Sequence, residues 1–158
     1  IGEDDASYSF PTEVMAKITM TVPALAIKPP QGNIRRTQRR QFVRVNTAVD
    51  VAIHCPTQSF RPFVTVTVDL SGGGLSIILP KEKTINEGQS VLMWAVLRMA
   101  SGTYEYISLK AKVIRIHTTD GALKTASLKY TDITPKAEQM IIKYCYEKQR
   151  EERQKGIM

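Results

Sequence analysis

At 158 residues the chain has the length of one ordinary domain, or of a domain joined to a fragment of a second. With 42% hydrophobic and 23% charged residues it has the balance of a globular chain that buries a core, and no apolar run approaches the roughly 20 residues a membrane-spanning helix needs. The net charge of +7 points to an anionic partner, whereas the two cysteines, Cys55 and Cys145, lack metal spacing and are too few for a disulfide framework, which fits a reducing cytosol.

The sequence opens on Ile1 with no charged and apolar leader pattern, so a cut start with residues missing upstream is expected. Residues 8 to 28 read as two strands. Val14, Ala16, Ile18, Met20 and Val22 alternate with Met15, Lys17, Thr19 and Thr21, and Pro23 breaks into Ala24-Leu25-Ala26-Ile27. Two strands cannot hold a core alone, so they need further partners. Pro29-Pro30-Gln31-Gly32-Asn33 reads as a linker, extended at the prolines and free at the glycine.

Gln31 to Arg44 then packs five arginines, Arg35, Arg36, Arg39, Arg40 and Arg44, into 14 residues. This is an anion-binding arm, expected to stay loose until it meets its anion because it offers little apolar surface to bury. From Val45 onward many short strands follow at close spacing, the pattern of a sandwich or barrel. Val49, Val51 and Ile53 form one apolar face. Val64, Val66, Val68 and Leu70 alternate with Thr65, Thr67 and Asp69, so period two sends the valines inward and the threonines and Asp69 outward. That strand runs into Asp69-Leu70-Ser71-Gly72-Gly73-Gly74, a carboxylate, a hydroxyl and three glycines, where positive φ and close ligand approach are expected.

Leu75 to Leu79 is a short buried run stopped by Pro80, Asn86-Glu87-Gly88 turns the chain, and Val91 to Leu97 forms the next strand. A long strand from about Tyr104 to Thr118 meets Leu123 to Tyr130 across Asp120-Gly121, the strongest hairpin signal in the chain. Thr134-Pro135 supplies an N-cap and a first-turn proline, and Ala137, Met140, Ile141, Tyr144 and Cys145 repeat at helix spacing. Beyond Tyr146 a mixed-charge tract either extends the helix into solvent or frays. His54 and His117 stand alone in strand patterns. No Ser/His/Asp or Cys/His constellation and no phosphate-binding loop with its lysine appears, so catalysis and a metal centre are not expected.

Written as patterns, Arg40-x-x-x-Arg44 and Asp69-x-Ser71-x-x-Gly74 resemble the two signatures of PilZ domains, bacterial receptors for cyclic di-GMP. Such a ligand carries two phosphates and two guanines. Arginine forks pair with phosphate or guanine O6/N7 and stack on rings, while a carboxylate accepts from guanine N1–H and N2–H2. The resemblance implies a mostly β fold: a PilZ antiparallel β-barrel over 34–133, a C-terminal helix and charged tail over 134–158, and, in 1–33, strands and linker from the end of an N-terminal β-barrel domain as in flagellar-brake (YcgR-like) proteins. It implies ligand contacts from Arg35, Arg36, Arg39, Arg40, Arg44, Asp69, Ser71, Gly73 and Gly74. Arg39, just before the R-x-x-x-R unit, implies two stacked cyclic di-GMP molecules per chain. The implied function is a non-enzymatic effector that changes conformation in the bacterial cytoplasm, is recruited to the flagellar basal body, and slows motility through a motor or stator protein. Control of exopolysaccharide synthesis is the alternative within the family. A basic β-barrel that binds nucleic acid is the alternative outside it, disfavoured because only 7% of residues are aromatic and Phe10, Phe42, Phe60 and Phe63 are scattered.

Overall fold

The computed structural model describes residues 6–19, 21–118 and 123–156. The chain divides into two compact units, Ile1–Gln41 and Phe42–Met158. In the first, β1 (Ser7–Ser9) pairs antiparallel with β4 (Arg35–Thr37), and β2 (Val14–Thr19) pairs with β3 (Pro23–Ile27). Gly32 and Asn33, with φ of 79° and 54°, turn the chain into β4. Arg35 and Arg36 are thereby fixed in a strand, opposite Ser9 and Tyr8. This pairing is why the division falls after Gln41 rather than after Asn33, and why the arm expected to be loose has regular structure at Arg35–Thr37. Two short ladders bury little, and Val14, Met15, Ile18 and Leu25 stay exposed. Met20, counted with the β2 alternation, lies outside the described residues.

The second unit comprises β5 (Arg44–Asn46), β6 (Asp50–His54), β7 (Phe63–Ser71), β8 (Gly74–Leu79), β9 (Ser90–Arg98), β10 (Tyr104–Thr118), β11 (Lys124–Asp132) and α1 (Pro135–Gln154). Its sheet runs β5-β7-β6-β9-β10-β11-β8, and a β7–β8 pairing closes the last six of these strands into an antiparallel barrel. Alternation does the folding. Val51 and Ile53, Leu75, Ile77 and Leu79, and Val91, Met93, Ala95 and Leu97 are all buried. Burial of each large side chain contributes about 1.5–3 kcal/mol before entropy is counted. Residues on either side of Asp120-Gly121 pair from Lys110↔Asp132 to Thr118↔Lys124, while the dipeptide itself lies outside the described residues.

The helix begins as its sequence dictates: the Thr134 hydroxyl accepts from the Ala137 amide at 3.2 Å, ahead of Pro135. Ala137, Ile141, Tyr144 and Cys145 are buried, and the charged tract extends the helix to Gln154, where Lys148 reaches Glu151 at 2.9 Å.

Strand β7 departs from the expected faces. Val64 is 71% exposed and Val68 40%, while Thr67 is 3% exposed and Phe63 7%. The threonines turn inward because their hydroxyls find backbone partners there. Thr67 Oγ1 accepts from the Val49 amide at 2.9 Å and donates to the Thr47 carbonyl; Thr65 Oγ1 donates to the Ile78 carbonyl at 2.5 Å. A register shift between Thr67 and Asp69 then reverses the parity, so Leu70 is fully buried. The expected inward set Val64, Val66, Val68 is thus replaced by Phe63, Thr65, Thr67.

Replacing Thr67 by valine keeps the volume but leaves the Val49 amide and Thr47 carbonyl without this partner. We expect a loss of roughly 1–3 kcal/mol in urea unfolding, the cost of an unsatisfied buried polar group. A change within about 0.5 kcal/mol would show that the hydroxyl bridge contributes no more than a surface group.

Candidate ligand-binding site

The site residues are set by the join between β5 and β7. Their register places Arg44 opposite Ser71, Val45 opposite Leu70 and Asn46 opposite Asp69. Val45 and Leu70 are buried, so Arg44 and Asp69 emerge on the polar side of the ladder. Arg44 Nη1 stands 3.8 Å from Asp69 Oδ2, with side-chain exposures of 45% and 16%. That separation is an ion pair but too long for a hydrogen bond, so neither group is consumed by the other.

Ser71 opens a two-residue turn, Gly72-Gly73, and pairs with Gly74 across it. Its hydroxyl donates to the Gly74 carbonyl at 2.9 Å, and Ser71 is only 7% exposed. The Gly73 carbonyl accepts from the Tyr130 amide at 3.2 Å, tying the turn to β11. The glycines do not serve the left-handed backbone expected of them, since none of Gly72, Gly73 and Gly74 has positive φ. They supply space. A Cβ on Gly72 would lie 2.5 Å from Phe42 Cδ1, and one on Gly74 would collide with the Leu128 carbonyl. Phe42 therefore lies on the glycine turn, a placement with no local signal because the partners are 30 residues apart in sequence.

Arg44, Asp69, Ser71, Gly73 and Gly74 are thus brought together within the second unit. Arg35 and Arg36 lie in β4 of the first unit, and Arg39 and Arg40 follow it in a segment without regular structure. Gln38 Nε2 donates to the Arg40 carbonyl at 3.4 Å there.

Helix α1 backs the site. The Tyr144 and Thr47 hydroxyls are 3.1 Å apart, and the Cys145 thiol donates to the Leu70 carbonyl at 3.5 Å. Burial pushes Cys145 up to about 12. Hydrogen bonds from the Ser59 and Thr57 hydroxyls pull Cys55 down to about 6, in a separate pocket of polar side chains that Gln89 completes. His54 packs edge-on against Trp94 with centroids 4.6 Å apart. Among the described residues no cluster of histidine, cysteine and carboxylate side chains could hold a metal, and no helix is long and apolar enough to cross a membrane.

The family model for the PilZ domain matches residues 38–147. The protein YpfA of Bacillus subtilis (strain 168) is 26% identical over 161 residues, covering 100% of this chain and 72% of its own length. The solved structure of the Bacillus subtilis inhibitor of motility, MotI/DgrA, resembles this chain with a TM-score of 0.77 at 25% identity, over 96% of this chain and 71% of that one. YcgR from Escherichia coli, solved in complex with c-di-GMP, has a TM-score of 0.65 over 96% of this chain and 64% of that one; at 19% identity the likeness concerns the fold.

The glycine contacts separate the turn residues by cost. Gly74→Ala should destabilise the unliganded protein by roughly 1–3 kcal/mol, because strand backbone must move to admit the methyl group. Gly73→Ala, whose Cβ would meet Phe42 at 3.4 Å, should stay within about 0.5 kcal/mol. Thermal or urea unfolding of the two variants reads the difference.

Proposed function

The chain belongs to the PilZ domain family, and from that footing we propose that it is a receptor for cyclic di-GMP that acts in the control of motility and is not an enzyme. One observation carries the reading: both motif halves that fall in the second unit, Arg44 and Asp69-x-Ser71-x-x-Gly74, meet on the β5–β7 ladder with their charges 3.8 Å apart and unconsumed. An anion-binding fork beside a carboxylate suits a guanine nucleotide, since the guanidinium takes phosphate or O6/N7 while the carboxylate takes N1–H and N2–H2.

In this reading Arg44 and Asp69 grip the ligand in the barrel. Ser71 and the Gly73 and Gly74 backbone line its edge, and Arg35, Arg36, Arg39 and Arg40 supply the remaining cations. Arg40 is four residues from Arg44, an extended span of at most about 14 Å, so both guanidinium groups can address one dinucleotide. Engagement of the arm orders the irregular segment after β4, and that ordering is the conformational change through which a binding module acts on a partner without chemistry. The partner class is a flagellar motor or stator protein, met in the cytoplasm at the basal body. The likeness to an inhibitor of motility supports this choice over exopolysaccharide control. A nucleic-acid role gains no support, because the aromatic residue beside the arm, Phe42, is packed on the glycine turn.

Calorimetric titration with cyclic di-GMP tests the site. Arg44→Ala and Asp69→Ala should each weaken binding roughly 5- to 150-fold, the range of about 1–3 kcal/mol for a two-pronged contact to a base. Equal affinity in both variants would remove the ligand from this site.

The same titration counts ligands. Two stacked dinucleotides bring four phosphates together, so their repulsion must be offset by cations beyond Arg40 and Arg44, and Arg39 is placed next to that unit to do so. Arg39→Leu should lower the count from two per chain towards one. An unchanged count with weaker, salt-sensitive affinity would show that Arg39 attracts the ligand without selecting its stacked form.

A further inference from the structure

The β5–β7 ladder that carries Arg44 is the first step of a continuous row around the barrel wall. Arg44 is opposite Ser71, Ser71 opposite Gly74, Gly74 opposite Lys129, and Lys129 opposite Lys112, so one row crosses β5, β7, β8, β11 and β10. The row beside it, Val45, Leu70, Leu75, Leu128 and Val113, is buried throughout. Successive strand residues point to opposite faces, so the row from Arg44 to Lys112 lies on the outer face of the barrel. Lys129 and Lys112 are both exposed there.

Folding alone does not account for these two lysines. They face each other directly across the β10–β11 ladder, an arrangement of like charges that opposes strand pairing. Among the described residues no carboxylate pairs with either, and the carboxylate of β11, Asp132, is taken by Lys110 at 3.1 Å. The wall between the lysines and the motif is also low. The next outward row runs from Asp69 through Ser76 to Ser127, the two serine hydroxyls 3.3 Å apart. Glycine and serine thus floor the space between Asp69 and the lysines, whereas elsewhere the outer face of β9 and β10 carries Trp94 and Tyr106, 41% and 76% exposed.

We propose that Lys129 and Lys112 form a phosphate subsite on the far side of this floor from Arg44, extending the ligand site from the β7–β8 turn onto β11 and β10. This rests on the proposed binding of a cyclic dinucleotide. The two phosphates of such a ligand sit on opposite sides of its ring, so a molecule held at one end by Arg44 turns its other phosphate away from that arginine. Ladder neighbours are about 4.8 Å apart, which puts the Lys129 backbone about 14 Å along the wall from that of Arg44, and a long cationic side chain at each end narrows the gap. A phosphate between the two ammonium groups offsets their repulsion and accepts a charge-assisted hydrogen bond from each. Lysine suits the role, being a point charge on a flexible stem that can follow a phosphate without reading a base. Base recognition stays with Arg44 and Asp69, and the lysines supply affinity that does not depend on which purine is bound.

Lys129→Gln and Lys112→Gln test this, with Lys110→Gln as the control, because the control removes the same charge from β10 but from an existing ion pair. In calorimetric titration each of the first two should bind cyclic di-GMP about tenfold more weakly, as loss of a hydrogen bond to a charged group does, while Lys110→Gln stays within about twofold. Neither of the first two should melt lower than the unaltered protein without ligand, since relief of a like-charge pair does not cost stability. Similar losses in all three variants, an unaffected Lys129→Gln or Lys112→Gln, or a lowered melting temperature that accompanies the loss would each overturn the subsite. Failure of the unaltered protein to bind cyclic di-GMP would overturn the ligand reading, and this inference with it; binding that Arg44→Ala weakens and the two lysine variants leave unchanged would overturn this inference alone.

Discussion

The structure depends on the parity change in β7. Until Thr67 the strand faces the barrel interior with one set of alternate residues, and after the register shift ahead of Asp69 it faces it with the other. Without the shift, an inward Thr67 would be followed by an inward Asp69 and an outward Leu70. The shift reverses this, so Leu70 enters the core beneath helix α1 while Asp69 stands at the rim beside Arg44. The inward threonines before the bulge are affordable only because their hydroxyls bridge the backbone at Val49, Thr47 and Ile78. Side-chain hydrogen bonding in the core and placement of a charge at the site are therefore two results of one irregularity.

The barrel and the site draw on different energies. Stability comes from the closed set of buried aliphatic side chains and from α1, whose Ile141 and Cys145 are almost wholly enclosed. The Arg44–Asp69 pair adds little, since a half-exposed ion pair is worth about 0–1 kcal/mol and is screened by salt. That weakness suits recognition: little is lost when a ligand takes over either partner. The helix joins the two, because Tyr144 meets Thr47 just after β5 and Cys145 meets Leu70 next to Asp69. The strands that carry the charged pair are thus held by the same element that covers the core.

Much of this was legible from residue pattern. The close strand spacing, the apolar face of β6, the strand over Val91 to Leu97 and the Thr134-Pro135 helix start are local signals, and each appears as expected. So are the two motifs, whose barrel-borne parts come together. What was not legible depended on distant partners. Valine favours a core face, and nothing within β7 says that Thr65 and Thr67 will find carbonyls inside. Nothing near Arg35 announces that Ser9 of β1, 26 residues earlier, will pair with it and move the division between units to Gln41. Tyr130, likewise, is unremarkable in a strand pattern until its hydroxyl is seen to lack a partner.

The glycine motif shows where pattern and cause diverge. Asp69-x-Ser71-x-x-Gly74 reads as a run of ligand contacts, yet Gly74 is required by the Leu128 carbonyl and Gly72 by Phe42. Ser71 has committed its hydroxyl proton to the Gly74 carbonyl, so towards a ligand its side chain has only acceptor capacity to offer. Loss of binding on altering Ser71, Gly72 or Gly74 would therefore report the shape of the turn as much as any contact. Arg44 and Asp69 differ, since their charged groups are exposed to different degrees, loosely paired and free of tight hydrogen bonds to each other. In the proposed reading, recognition within the barrel rests chiefly on those two side chains, with the turn as the rigid edge of the site.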